Sequence, residues 1–401
     1  MKFGIIKERK NPPDRRVVFS PRKLQEFKEK FPKATIKVEA SNIRVFPDKA
    51  YREAGFEVTN DLTDCDVLLG VKEVPVEFLI PNKKYFFFSH TIKKQPYNRK
   101  LLQSILKKNI DLIDHETIIK EDGIRLIGFG RYAGIVGAYN GFRAYGLKHK
   151  SFYMPKAENV EGREDLINEL NKIDLPNIKI LLTGNGKVAS GAKEILDAMD
   201  IRKVTVDHYL EKGFDEPVYC IADVLDYNKR IDGTVVGVSD FFAHPEEYIS
   251  DFMRFGKVTD YFIAGHFYGS GAPYLITKQD AKSTEFKIRL IADISCDVDG
   301  PIASTLRAST IENPIYGYNP HTELEVDYNE ENAIVVMAVD NLPCELPKDA
   351  SEGFGDMFLE HVVPAFYNND KDGILSRGKI TEKGKLTPSF SYLQNYVDGK
   401  E

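Results

Sequence analysis

Two ionisable side chains close apolar runs in the first half of this 401-residue sequence. Lys72 ends the run DVLLGVK, and His90 ends the run KYFFFSH. In parallel α/β sheets, the carboxyl ends of the strands face the ligand crevice. A lysine beside apolar walls has a lowered pKa and can act as a base, and histidine can pass protons in either direction near neutrality. The pair is therefore a candidate for proton transfer, although each residue alone could equally be a solvated strand end.

Four further charged residues have types that suit the binding of a small charged substrate. Arg16 precedes an apolar segment, and Lys93 belongs to the run HTIK. Guanidinium and ammonium groups make charge-assisted hydrogen bonds, so both are candidate contacts for substrate carboxylates. Glu73 and Glu116 could set the charge state of the candidate base by proximity. Ordinary surface charge is the alternative interpretation of all four.

A glycine turn in the second half lies between a buried-type strand and a helix, in the segment NIKILLTGNGKVASGAKEILDAM. Gly184 permits a tight turn, and Gly186 lets the backbone approach a pyrophosphate. Ala189 or Gly191 permits close packing of the helix against the strand. The helix N-terminus adds unpaired N–H groups and a positive dipole for phosphates. The pattern predicts a dinucleotide site, with glycines that serve packing alone as the alternative.

An acidic residue follows this turn at the spacing typical of a ribose contact. Asp207 lies 207 − 184 = 23 residues after the first glycine, near the roughly 20 expected for a carboxylate that binds the ribose 2′-hydroxyl. Such an acid repels a 2′-phosphate and so favours NAD over NADP. NADP stays open, because Asp207 could also be a loop or cap residue.

The elements that must position these residues alternate between strand and helix. Short apolar runs are followed by stretches of helical spacing, which is typical of an α/β fold with mostly parallel sheet. A first set of units extends to about Gly130, and a second set begins at residue 177. Between them, the Gly- and Ala-rich stretch 130–150 is predicted to be a helix packed tightly against a neighbour. Residues 351–367 are predicted to form an amphipathic helix with Ser351 as its cap.

Composition argues against several classes of protein, namely nucleic-acid-binding, membrane-spanning and disulfide-rich proteins. The 61 acidic and 55 basic residues give a net charge of −6, which favours solubility and argues against a nucleic-acid partner. No segment approaches the ~20 apolar residues of a membrane span, and the N-terminus lacks the apolar core of a signal peptide, so we expect a cytoplasmic protein without a membrane partner. The four cysteines form no CxxC pair, so neither a metal site nor a disulfide framework is expected.

A family resemblance extends over nearly the whole chain. It is carried by LLGVKEVP, FFFSHTIKKQ, LIDHE, GFGRYAGIVG, LLTGNGKVASGA, IADISCDVDG and VDNLPCELPKDASEGFGDM. These segments resemble the lysine-forming saccharopine dehydrogenases, or lysine-2-oxoglutarate reductases, within the wider alanine dehydrogenase group. The resemblance implies two doubly wound Rossmann-like α/β domains with the active site in the cleft between them. We accordingly expect a discontinuous substrate domain at 1–140 plus 345–401 and a dinucleotide-binding domain at 141–344.

The resemblance also implies roles for individual side chains. It places the catalytic lysine and histidine of the family on Lys72 and His90. It adds Asp297, which matches an aspartate beside the nicotinamide. The substrate contacts that it implies are Arg16, Lys93, Glu73 and Glu116. The turn GNGKVASG departs from the family fingerprint because it lacks glycine at the third position, which leaves the choice between NAD and NADP open.

The expected reaction is the reductive condensation of lysine with 2-oxoglutarate to saccharopine, or its reverse, with hydride from a nicotinamide cofactor. The partners would then be small amino acids and keto acids. Two alternatives remain at this point. Alanine dehydrogenase, which acts on pyruvate and ammonia, shares the lysine and histidine, and a non-catalytic nicotinamide-nucleotide sensor would share the fold. The physiological direction and the oligomeric state, including a homo-oligomer, stay open.

Overall fold

The computed structural model describes residues 1–400, which form two compact units. Unit 1 comprises Met1–Phe129 together with the segment from Pro347 onward, and unit 2 is Gly130–Leu346. The chain leaves unit 1 earlier than expected, since residue 140 lies inside a continuous helix of unit 2. The returning segment makes unit 1 discontinuous.

The first part of unit 1 is a six-stranded parallel sheet in the order β3-β2-β1-β4-β5-β6. Its strands are β1 (Lys2–Ile5), β2 (Thr35–Glu39), β3 (Glu57–Thr59), β4 (Val67–Lys72), β5 (Lys84–Phe88) and β6 (Asp111–Asp114). Its helices are α1 (Pro21–Lys30), α2 (Asp48–Glu53) and α3 (Arg99–Lys107). The strand order reverses between β1 and β4, and ligands of such sheets bind at this switch point.

Local sequence explains how these elements form. The side chain of Ser20 accepts a hydrogen bond from the backbone N–H of Lys23, and Pro21 occupies the first position of α1, a combination that favours helix initiation. The apolar run from Val67 to Val71 is buried throughout, as expected for a parallel strand covered on both faces. Only the last residue of β4, Lys72, is partly exposed.

Unit 2 contains an eight-stranded sheet in the order β15-β14-β16-β13-β12-β7-β9-β8. The strands of this sheet are β7 (Lys179–Thr183), β8 (Arg202–Lys203), β9 (Val218–Ala222), β12 (Tyr261–Ala264), β13 (Leu290–Asp293), β14 (Ile315–Asn319), β15 (Leu324–Val326) and β16 (Ile334–Met337). Strands β10 (Asn228–Arg230) and β11 (Tyr248–Ser250) form a separate antiparallel pair. Its helices are α4 (Gly130–His149), α5 (Arg163–Leu170), α6 (Lys187–Ala198), α7 (Val206–Glu211), α8 (Val238–Ala243), α9 (Met253–Gly256) and α10 (Lys278–Lys282). Strand β14 pairs antiparallel with both of its neighbours, β15 and β16, and all other strand pairs in this sheet are parallel.

The Gly-rich helix α4 packs directly on α6, which confirms the prediction of tight packing. A Cβ atom added at Gly134 would lie 1.9 Å from the carbonyl oxygen of Val188, and one added at Gly191 would lie 1.9 Å from that of Arg131. The two helices therefore touch backbone to backbone. Because only glycine allows this approach, the contact requires a glycine on each of the two helices.

The C-terminal segment supplies the remaining elements of unit 1, namely α11 (Pro347–Met357), α12 (Ile374–Gly378), β17 (Thr381–Glu382), β18 (Lys385–Leu386) and α13 (Gln394–Val397). The prediction that Ser351 caps its first helix is wrong, because α11 begins at Pro347, a residue preorganised for the first helical position. The Ser351 hydroxyl instead donates to the carbonyl of Pro347 and accepts from the N–H of Val17. Within residues 1–400, no helix has the length and apolar character needed to span a bilayer.

Candidate active site

Lys72 lies at the carboxyl end of β4, where the pairing with β5 is irregular between Leu69 and Lys72. Burial lowers the pKa of its ammonium group, and the positive charges of Arg16 and Lys10 act in the same direction. Asp14 opposes this shift without cancelling it. A lysine with a lowered pKa at a strand end can give and take a proton.

His90 follows β5 in a left-handed backbone conformation, with φ of 54°. Its Nδ1 lies 3.2 Å from Oε2 of Glu116. Burial acts to raise the pKa of Glu116, but the hydrogen bond with His90 and the charges of Lys93 and Arg125 outweigh it and lower that pKa to about 2. Glu116 is therefore ionised at neutral pH and orients the imidazole, which leaves Nε2 as the ring nitrogen available for proton transfer.

This contact changes the interpretation of Glu116 and Lys93. Glu116 was predicted from the sequence to act on the candidate base Lys72, but it lies against His90. The Nζ of Lys93 lies 3.6 Å from the other oxygen of Glu116, and half of the Lys93 side chain is exposed. Lys93 thus has an anionic neighbour and remains accessible to a substrate carboxylate.

Arg16 is buried and forms a two-point ion pair with Asp14. Its Nε and Nη2 lie 3.0 Å and 2.6 Å from the two carboxylate oxygens, and the guanidinium stacks over the ring of Phe129 at 4.3 Å. Burial acts to raise the pKa of Asp14, but the interaction with Arg16 outweighs it and lowers that pKa. Asp14 was not among the residues predicted from the sequence, although an acid two residues before the arginine was a visible signal.

Glu73 adjoins Lys72 in sequence and forms an ion pair with Lys10 at 2.9 Å. Burial acts to raise the pKa of Glu73, but the hydrogen bond from Lys10 outweighs it, so Glu73 is an anion. Its second oxygen, Oε2, is buried without a hydrogen-bond partner among the described residues. A buried carboxylate oxygen that lacks a donor suits a substrate ammonium group.

The glycine turn of unit 2 borders a cavity of about 590 Å³. Gly184 has φ of +98°, and a Cβ atom there would lie 2.7 Å from the carbonyl oxygen of Gly265. Gly186 is the N-terminal cap of α6, and a Cβ atom there would meet no atom within 4 Å. The turn therefore leaves the first N–H groups of α6 next to open space, as a phosphate-binding turn requires.

The third fingerprint position is divided between two residues. The backbone of Ala189 lies 3.3 Å from the position of a Cβ atom added to Gly265, which follows β12, so Ala189 provides the close approach of helix to strand. Gly191 does not face the sheet, since its close neighbours are Arg131 and Ile135 of α4. The sequence identified both small residues, but only the structure separates their roles.

Asp207 does not occupy the place expected for the ribose acid. It lies exposed in the first turn of α7, after the cap Thr205, and it does not line the cavity in the described part of the chain. Asp223 lines the cavity instead. It directly follows β9, whose last residue, Ala222, accepts the N–H of Gly184. In the sheet order, β9 rather than the two-residue β8 lies beside β7, so Asp223 rather than Asp207 lines the same cavity as the glycine turn.

Two more residues of unit 2 face this cavity. Asp297 lies on its lining, and burial raises the pKa of its carboxyl group. His266, which was not predicted from the sequence, is buried with its Nδ1 2.7 Å from the hydroxyl of Thr183. Its Nε2 has no hydrogen-bond partner among the described residues. Burial lowers the pKa of His266 to about 4, so the ring is neutral. The cavity lining thus includes a residue whose buried ring nitrogen lacks a hydrogen-bond partner among the described residues.

Comparison with known proteins confirms the resemblance inferred from the motifs. Residues 4–136 match the family model of the alanine dehydrogenase/PNT N-terminal domain. The sequence is 30% identical over 91% of the chain to the mitochondrial alpha-aminoadipic semialdehyde synthase of Rattus norvegicus, of which it spans 44%. It is 22% identical to the NAD(+), L-lysine-forming saccharopine dehydrogenase of Yarrowia lipolytica, over 81% of this chain and 82% of that protein.

The fold has known counterparts as well. A solved L-alanine dehydrogenase matches the structure with a TM-score of 0.64 at 16% identity, covering 100% of both chains. The expected α/β fold class is therefore confirmed. The chain spans less than half the length of the rat synthase, so the activity of that longer protein does not transfer by similarity alone.

Proposed function

Because the chain resembles the lysine-forming saccharopine dehydrogenases and carries the alanine dehydrogenase/PNT N-terminal domain, we propose that it is a nicotinamide-dependent oxidoreductase acting on CH–NH bonds. Its reaction would be the condensation of lysine with 2-oxoglutarate and reduction of the imine to saccharopine, or the reverse. The observation that supports this most strongly is the half-buried Lys72 with a lowered pKa, in the same unit as the His90–Glu116 pair.

The residues of unit 1 would handle the protons of this reaction. The lysine amine adds to the keto carbon, and His90 would protonate the leaving hydroxyl so that water departs and the imine forms. Lys72 would exchange the proton of the secondary amine. When bound, the reduced nicotinamide supplies the hydride that adds to the imine carbon. Both proton transfers would use a side chain at a strand end, Lys72 at the end of β4 and His90 just after β5.

The remaining charged side chains would hold the substrates. Lys93 and Arg16 would face substrate carboxylates, with the charge of Arg16 partly compensated by Asp14. The unpartnered Oε2 of Glu73 would accept a hydrogen bond from an ammonium group of the substrate lysine. Such contacts contribute mainly by orienting the imine carbon for reduction.

The cavity of unit 2 fits a dinucleotide, and we propose NAD as the preferred form. The glycine turn and the first N–H groups of α6 would hold the pyrophosphate, and Asp297 would lie near the nicotinamide. Asp223 would accept hydrogen bonds from the ribose hydroxyls. A carboxylate at this place repels the 2′-phosphate of NADP.

Replacing Asp223 with Ser should reverse this preference. Loss of a charge-assisted hydrogen bond of about 1.5–3 kcal/mol lowers kcat/KM with NADH about 10- to 100-fold, while kcat/KM with NADPH rises because the repulsion is removed. Initial rates with both cofactors measure the ratio. The variant Asp207→Ser tests the assignment made from spacing, and a larger shift in that variant would favour Asp207 over Asp223.

A paired-substrate assay tests the reaction itself. Oxidation of NADH is followed with lysine plus 2-oxoglutarate and, separately, with pyruvate plus ammonia. We expect turnover with the first pair to exceed turnover with the second. Faster reaction with pyruvate would identify an alanine dehydrogenase, and NADH binding without turnover on either pair would identify a nucleotide sensor. The cytoplasmic location stays a prediction.

A further inference from the structure

Glu8 is a buried carboxyl group next to the candidate base that the proposed mechanism does not use. Strand β1 ends at Ile5, and its last backbone bond to β4 runs from the N–H of Ile6 to the carbonyl of Leu69. Strand β4 continues to Lys72 without this partner. Its final N–H groups therefore need another acceptor, because buried backbone donors are rarely left unpaired.

The side chain of Glu8 supplies that acceptor. Its Oε1 lies 2.7 Å from the N–H of Val71, and its Oε2 lies 2.8 Å from the N–H of Lys72. In a regular strand, consecutive N–H groups point to opposite sides. Here both point to Glu8, because the irregularity between Leu69 and Lys72 turns the backbone at the strand end.

Glu8 occupies this place against an electrostatic penalty. Burial raises its pKa to about 8, and the charge of Asp14 adds to the effect, although the two backbone hydrogen bonds oppose it. Only 5% of the residue is exposed. An apolar residue would avoid this penalty but would leave two N–H groups unpaired.

We propose that Glu8 is a positioning residue that fixes the backbone of Lys72, and so the direction in which its amine points. The inference rests on the proposed role of Lys72 as the proton-exchanging group. Both oxygens of the carboxyl group can accept a hydrogen bond, so the backbone is held at two points. A neutral amide cannot replace it, because its nitrogen would meet an N–H group donor to donor.

The variant Glu8→Gln, made in the full chain, tests this role. We expect kcat with lysine and 2-oxoglutarate to fall about 10- to 100-fold, since a displacement near 1 Å can cost that much. KM for the substrates and the Kd of NADH should change far less. A Lys72 amine turned toward water is less desolvated, so the part of the pH profile that it governs should move to higher pH.

Glu39→Gln is the matched control. Glu39 is also a buried carboxylate at a strand end that accepts a backbone N–H, that of Lys7 at 2.9 Å, but it does not bind the backbone of β4. We expect its kcat and pH profile to match those of the parent protein. If Glu8→Gln does not fold, Glu8→Asp keeps two acceptors on a shorter stem and should show the same pH displacement with a smaller loss of kcat.

The outcomes separate this inference from the proposed function. If a folded Glu8 variant keeps the kcat and the pH profile of the parent protein, the positioning role is wrong. It is also wrong if the variant is only less stable and its pH profile is not displaced. If Lys72→Met lowers kcat as expected while the Glu8 variants keep the kcat of the parent protein, only the positioning role fails. If the parent protein shows no turnover with lysine and 2-oxoglutarate, the proposed function is wrong, whatever the Glu8 variants show.

Discussion

Replacing Lys72 with Met should lower kcat for saccharopine formation about 100- to 10,000-fold, the range typical of losing a general acid–base group. Methionine keeps the length and apolar stem of lysine but has no proton to exchange. The Kd of NADH should stay within about twofold, a change of under 1 kcal/mol, because the glycine turn and Asp223 belong to unit 2. Steady-state kinetics and isothermal titration calorimetry measure the two quantities.

The pH profile gives a second readout of the same substitution. Burial and neighbouring cations lower the pKa of Lys72, so its neutral form appears at lower pH than that of a solvated lysine, whose pKa is about 10.4. In the direction that needs a base, activity should therefore rise with pH below that value, and the rise should disappear in Lys72→Met. Lys107→Met, an exposed lysine on α3 of the same unit, is the control. A variant that keeps parental turnover and pH dependence would show that Lys72 is not the base.

Replacing Gly191 with Ala should destabilise unit 2 by about 1–3 kcal/mol or more, as expected for overpacking a close contact. The new Cβ atom would lie 1.9 Å from the carbonyl oxygen of Arg131, so α4 and α6 would have to separate. Alanine favours a helix over glycine by about 1 kcal/mol, but this gain cannot offset a backbone clash. Tm should fall by roughly 2–12 °C, from about 2–4 °C per kcal/mol for a unit of this size.

Thermal unfolding of the full chain, followed by circular dichroism, measures this effect. Gly213→Ala is the matched control, since an added Cβ atom there meets no neighbour within 4 Å, and its Tm should change little. NADH should also bind more weakly to Gly191→Ala, because α6 carries the phosphate-binding turn. Equal melting temperatures for the two variants would contradict the backbone contact between the helices.

The strand ends and the glycine turn, which follow from local order, lie where the sequence predicted them. Lys72 and His90 end apolar runs, and the end of a run marks the end of a strand irrespective of where that strand lies in the sheet. The glycine turn was identified for the same reason, since strand, turn and helix are contiguous in the chain. The predicted roles of these residues in catalysis and nucleotide binding await the measurements above.

Predictions from the sequence differ from the structure where the position of a residue depends on pairing between segments that are distant in the chain. The spacing along the chain pointed to Asp207, which follows the two-residue β8. In the sheet, however, β9 lies beside β7, and Asp223, which follows β9, lines the same cavity as the glycine turn. Spacing along the chain cannot predict which strand pairs with β7, because strand order depends on the summed burial and hydrogen bonding of the whole sheet. The N-terminus of α11 was misplaced because Ser351 bonds within the helix and to Val17 rather than capping it.

The sequence by itself determined the α/β class, the strand-end positions of the candidate acid–base pair, and the presence of a dinucleotide-type turn. These depend on residue type and on hydrophobic periods of two or 3.6 residues, which are local properties. Only the tertiary structure decided that Glu116 orients His90, that Asp14 pairs with Arg16, and that Glu8 holds the backbone of Lys72. Each of these is a contact between particular atoms at about 3 Å, and such contacts are set by how the folded chain brings backbone and side chains together.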